Sequence, residues 1–138
     1  MPRKLKVWRN PNTRFIVMRD NDRGNCRDRK QLLMDRVCGT GRETQSRVRI
    51  VCEELEAWML GDLTALEEAL GPASHPIRRA ARDPDAIPHP SQLLRNHHRT
   101  YSKVQSSAEV AQHMSPLQNR SRSFNAFLDA VLTLTEPI

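Results

Sequence analysis

The sequence predicts an α/β protein, a mostly parallel sheet flanked by helices and followed by a helical C-terminal part. Three patterns carry that prediction. Two short apolar runs, Phe15-Ile16-Val17-Met18 and Arg47 to Cys52 (RVRIVC), have the composition of buried strands. Between them, Cys26 to Val37 has apolar residues at 26, 33, 34 and 37 and charges on its other face, which is a helical period. Strand, amphipathic helix, strand is a βαβ unit, with parallel pairing and a right-handed crossover. Near the C-terminus, apolar residues at 124, 127, 128, 131, 132 and 134 make a final amphipathic helix.

Residues 1–12 are basic, with Leu5, Val7 and Trp8 interspersed, and end in a Pro-Asn turn signal. Trp8 beside Arg9 could stack a base or cover the edge of the core. Gly39 and Gly41 close the first helix. After the second strand, Glu53, Glu54 and Glu56 read as the acidic first turn of a helix whose apolar stripe is Leu55, Trp58 and Met59. Gly61 stops that helix. Asp62 or Thr64 caps a short one over 65–70, which Gly71-Pro72 ends. Five prolines between 72 and 90 mark an extended connection with a helical turn near 77–82. Ser106-Ser107-Ala108-Glu109 is a capping-box pattern opening a helix to about His113.

Composition narrows the class. At 138 residues the chain suits a single domain over 1–138. No apolar run approaches the roughly 20 residues that span a bilayer, so no membrane role is expected. The basic N-terminus lacks the apolar core of a secretory signal. Three cysteines without a Cys-x-x-Cys pair suggest reduced thiols in a cytoplasmic protein, with Cys52 a core residue rather than a nucleophile. His89, His97 and His98 lack zinc-type spacing. The net charge of +6 is uneven: residues 1–49 hold 14 basic against five acidic side chains, and residues 50–70 hold six acids and no Lys or Arg. A basic front beside a compact acidic segment is compatible with phosphate binding around a carboxylate-held metal, and with a solvated arginine-rich surface.

The chemistry concentrates after the first strand, at Asp20-Asn21-Asp22. An Asp-x-Asp pair at the carboxyl end of a parallel strand projects into the crevice where open α/β sheets bind ligands. Two close carboxylates repel, and a divalent cation relieves the repulsion. The same residues followed by Arg23-Gly24 are good turn chemistry, and spacing alone does not choose between the two readings. The glutamates after the second strand are equally open, as helix-dipole partners or as part of the same acidic edge. Arg120 and Arg122 precede the last helix against the dipole's preference, which suits either anion-facing or solvent arginines.

In order along the chain, FIVMRDNDRGNC, RIVCEELEAWMLGD, RDPDAIPHPSQLL, YSKV and NRSRSF resemble an uncharacterised bacterial family with a Toprim-like core, domain of unknown function 4276. The resemblance implies a Toprim-like sheet and a metal-dependent phosphodiesterase of the nuclease type. It implies that Asp20, Asp22, Glu54 and Glu56 hold magnesium or manganese. It also implies that Lys103 stabilises charge on a transferring phosphate; Arg19, Arg120 and Arg122 are the candidate phosphate-binding residues. Nucleic acid is the implied substrate, and an AAA-type ATPase a possible partner in a bacterial defence system. Toprim domains normally begin with a strand ending in a Glu-Gly turn. No Glu occurs here before Glu43, so the chain is expected to be N-terminally truncated relative to the family. That departure supports an alternative, a non-catalytic Toprim-like binding or assembly subunit.

Overall fold

A computed structural model describes residues 1–136. Its βαβ unit is the predicted one. Strand β1 (Phe15–Asp20) and strand β2 (Ser46–Val51) pair in parallel, from Phe15 opposite Ser46 to Asp20 opposite Val51. These two strands form the whole sheet among the described residues. The helix between them, Cys26–Val37, is capped by Asn25, whose side chain accepts from the amides of Arg27 (2.9 Å) and Asp28 (3.3 Å). A short helix over Pro2–Val7, with proline in its first turn where a missing N–H is harmless, precedes β1. We number these helices α2 and α1. Val17, Val48, Leu33, Val37 and Leu5 form the core between this face of the sheet and the two helices.

Among the described residues, every regular element after β2 is helical. The elements are α3 (Glu56–Gly61), α4 (Leu63–Leu70), α5 (His75–Ala80), a 3-10 turn over Pro84–Ala86, α6 (Pro90–His97), α7 (Lys103–His113) and α8 (Arg122–Thr135). Helix α3 is buried along its entire length. On one side Trp58 packs with Val51 of the sheet and Phe124 of α8, the two rings edge to face at 5.3 Å. On another, Met59 and Leu60 enter a core made with Leu66, Ile77, Leu94 and Val110. Helix α3 is therefore the element that joins the sheet to the helical part.

Three boundaries differ from the sequence reading, two for local reasons and one for a long-range one. Helix α3 starts at Glu56, not Glu53, because Glu53 takes a left-handed backbone (φ 57°) and ends the strand in a turn. Helix α7 starts at Lys103, not Ser106. Ser106 lies inside its first turn, where its hydroxyl accepts from the Ser102 amide at 2.9 Å. Helix α6 occupies what reads as extended connection. Its proline start suits a helix, and the side chain that satisfies its free amide comes from Glu54, far upstream.

Helix α6 ends on a buried imidazole. The His98 amide closes the helix on the Leu94 carbonyl, the residue is 8 % exposed, and its Nε2 has no hydrogen-bond partner. Burial, and secondarily the charge of His97, lower its pKa below the usual 6.5. The unfolded chain therefore binds the extra proton first, so the contribution to stability is complete above about pH 6.5 and is lost as pH falls below it. Thermal melts between about pH 7.5 and 5 should show stability declining on the acid side. His98→Leu should flatten that slope, and an unchanged slope in the variant would contradict the assignment.

Candidate active-site crevice

Parallel pairing puts the carboxyl ends of β1 and β2 at one edge, and pairing continues past the strands. The Asn21 amide donates to the Val51 carbonyl (3.0 Å) and the Asp22 amide to the Glu53 carbonyl (3.3 Å). Three non-glycine residues with positive φ meet at this edge: Asp22 (47°), Arg23 (59°) and Glu53 (57°). Such backbones cost on the order of 1–3 kcal/mol each and persist where the surroundings over-determine them. Here Glu53 does so. Its carboxylate accepts from the Arg23 amide (2.6 Å) and from the Asn21 side-chain amide (3.3 Å). Glu53 is thus the clamp on the turn that carries Asp20 and Asp22.

The other two glutamates diverge. Glu54 accepts from the Ser91 amide at 2.9 Å and so caps α6. Glu56, the first residue of α3, is 1 % exposed. Its Oε1 accepts from the Tyr101 hydroxyl (2.8 Å) and lies 3.6 Å from Lys103 Nζ, while its Oε2 is buried without a partner. A buried carboxylate oxygen left unmatched is costly. Asn21, between the two aspartates and 7 % exposed, likewise leaves its Oδ1 unmatched.

Electrostatics ties these residues into one group. The Asp20 carboxyl is raised above its usual range, first by burial and then by Asp22; Glu56 and Glu54 add to the effect and Lys103 opposes it. Burial and the bond to Glu56 push the Tyr101 hydroxyl well above the usual tyrosine range, so it stays a donor. Asp22, Glu54, Glu56 and Lys103 are therefore all within electrostatic reach of Asp20. They do not form a closed cage: among the described residues, no three His, Cys, Asp or Glu side chains converge closely enough to hold a metal between them.

The arginines stand elsewhere. Side chains alternate along a strand, so Arg19 faces away from Asp20, lining an apolar groove of about 640 Å³ with Leu5, Trp8 and Phe15. Arg120 is held by its amide on the Gly61 carbonyl (2.9 Å), at the end of α3 opposite Glu56. Arg122 lies 3.5 Å from Asp83 and 3.9 Å from Asp85, so the anions it faces are the protein's own. Trp8 takes the edge-covering role, its indole N–H donating to Thr13 (2.7 Å) and its ring set edge-on to Phe15. Cys52 is half-buried. Burial and Asp85 push its thiol up, away from thiolate chemistry.

Two residues gained importance that spacing did not give them. Tyr101 is the hydroxyl partner of Glu56. Asp85 is the hub of a buried network, accepting from Ser121 Oγ (2.6 Å) and the Ser123 amide (3.0 Å). Ser121 also caps α8, Ser123 Oγ accepts from the Trp58 indole (2.8 Å), and Asn119 donates to the Trp58 carbonyl (2.8 Å). The Asn-Arg-Ser phrase is thus a structural lock. It sits against Gly61, where a Cβ would collide with Asn119 Oδ1. The only local signal for this lock was the residue types themselves, amide and hydroxyls ahead of a helix.

The model of the family described as "Domain of unknown function (DUF4276)" matches residues 1–132, and the chain belongs to that family. No curated protein and no solved structure matches it.

The Asp85 network generates a prediction about stability. Asp85→Ala strands the Ser123 amide and Ser121 hydroxyl and should lower unfolding free energy by about 2–4 kcal/mol. Asp85→Asn, which keeps acceptor capacity, should lose less. Denaturant titration of both variants checks the order, and equal losses would contradict the role given to the carboxylate.

Proposed function

We propose that this member of the family is a Toprim-like phosphodiesterase domain that uses magnesium or manganese to cleave nucleic acid. The observation that carries the reading is the buried, unmatched Oε2 of Glu56 at the edge where Asp20 and Asp22 crowd together. Hard carboxylate oxygens suit magnesium, which commonly takes one or two protein carboxylates and keeps several waters. A divalent cation therefore fits this donor set without a third converging carboxylate. One or two of Asp20, Asp22 and Glu56 would hold it, with Glu54 available if its bond to Ser91 is exchanged. When bound, such a cation polarises a phosphate oxygen and lowers the pKa of the attacking water.

The chain's own side chains supply the rest. Lys103 is 61 % exposed, and its ammonium reaches Glu56 from the open side, a position suited to neutralising charge that builds on a phosphate. The basic surface of residues 1–49 favours polyanion encounter. Binding by that surface should weaken steeply with salt.

A second reading is supported by the open geometry of the carboxylates. In it the domain is a non-catalytic binding or assembly subunit, for instance beside an AAA-type ATPase. One experiment separates the readings. The purified protein should cleave DNA or RNA in magnesium or manganese, and an Asp20→Ala/Asp22→Ala double variant should lose activity about 100-fold or more. No cleavage by the wild-type protein, or equal cleavage by the double variant, would remove the nuclease reading.

A further inference from the structure

We infer that Tyr101 is a positioning residue for the cation site: by occupying Oε1 of Glu56 it fixes the carboxylate so that Oε2 alone is left to bind. The inference rests on the cation reading above. It concerns how the site is built rather than whether it exists.

The geometry is specific. The Tyr101 hydroxyl lies 2.8 Å from Glu56 Oε1 and Lys103 Nζ 3.6 Å from the same atom, whereas Oε2 has neither a partner nor solvent. A carboxylate has two oxygens with lone pairs to spare. Directing both donors to one of them leaves the other unmatched in a buried place, a choice that costs free energy unless a ligand collects it. The unmatched Asn21 Oδ1, in the neighbouring turn, is an independent polar atom in the same condition.

Tyr101 is also held well enough to position something. Its ring packs against the helical core of Leu60, Leu66 and Leu94, and its amide donates to the His98 carbonyl at 3.1 Å. The turn after it is fixed by the bond from the Ser102 amide to Ser106 Oγ. Lys103 follows directly as the first residue of α7, where a cation is disfavoured by the helix dipole. Glu56 compensates for that placement. Tyr101 and Lys103 thus act as a pair from one rigid turn, the tyrosine setting the orientation of the carboxylate and the lysine its charge balance. Outer-shell donors of this kind orient metal-binding carboxylates, and losing one commonly lowers affinity by 10–100-fold.

The test uses the intact protein and two readouts. Manganese affinity is measured calorimetrically for the wild type, Tyr101→Phe and Lys103→Ala. Tyr101→Phe keeps the ring and its packing, so its melting temperature should stay close to wild type while manganese affinity falls about 10-fold. Tyr101 is the sole tyrosine of the chain, so selective isotope labelling gives one ring signal. Magnesium should shift that signal saturably, at the midpoint that a separate magnesium calorimetry run gives. Wild-type binding with unchanged affinity in Tyr101→Phe and a silent tyrosine signal would overturn this inference and leave the cation reading standing. Absence of manganese and magnesium binding to the wild type would overturn both. Should Tyr101→Phe fail to fold, the labelled wild-type titration decides alone.

Discussion

The structure turns on a carboxylate buried where the sheet meets the helices. Glu56 opens α3, and α3 is enclosed on every side, by the sheet and α8 through Trp58 and by the helical core through Met59 and Leu60. Its carboxyl is matched there by Tyr101 and by Lys103 at the start of α7, from 45 and 47 positions downstream. The placement of α7 and the state of the crevice are therefore one problem. Whatever anchors the Tyr101 turn anchors the site.

The opposite end of α3 is fastened by a second buried anion. Asp85 gathers Ser121 and Ser123, and through them the Trp58 indole, so that α8 is pinned across the sheet's open face. Asn119 and Ser121 approach Gly61 so closely that a side chain there is excluded. The short parallel pair is thus held from both ends of one helix. Two strands alone bury little surface, and the remainder of this sheet's support comes from α2 on one face and α8 on the other.

Local pattern in the sequence was enough for the βαβ unit. The period of Cys26 to Val37 and the β-branched run through Val51 are local signals, and both survive in three dimensions. The helix starts at Glu56 and Lys103 differ from the sequence reading by three residues because local backbone and side-chain geometry that residue type does not announce sets them: Glu53's left-handed turn, and Ser106 bonding back to Ser102. Of the candidate site, Asp20, Asp22, Glu54 and Glu56 were legible as types at strand ends, and Lys103 came only from the family resemblance. Their division of labour was not legible. Glu54 caps α6 and Glu53 clamps a turn, assignments made by Ser91 and Arg23 rather than by neighbours in sequence. Tyr101 and Asp85 find their partners 45 and 36 positions away, beyond any periodicity. Arg122 could be read as anion-facing, but which anion depended on Asp83 and Asp85 folding beneath it.

The central claim is that a divalent cation enters the crevice at the carboxyl ends of β1 and β2. Paramagnetic broadening by substoichiometric manganese locates it residue by residue in the amide spectrum. A cation there would give saturable, selective loss of signals from residues 20–23, 53–57 and 101–103, with α5 unaffected and magnesium restoring the signals by competition. Broadening spread evenly over the surface, or centred on another group of carboxylates, would contradict the claim.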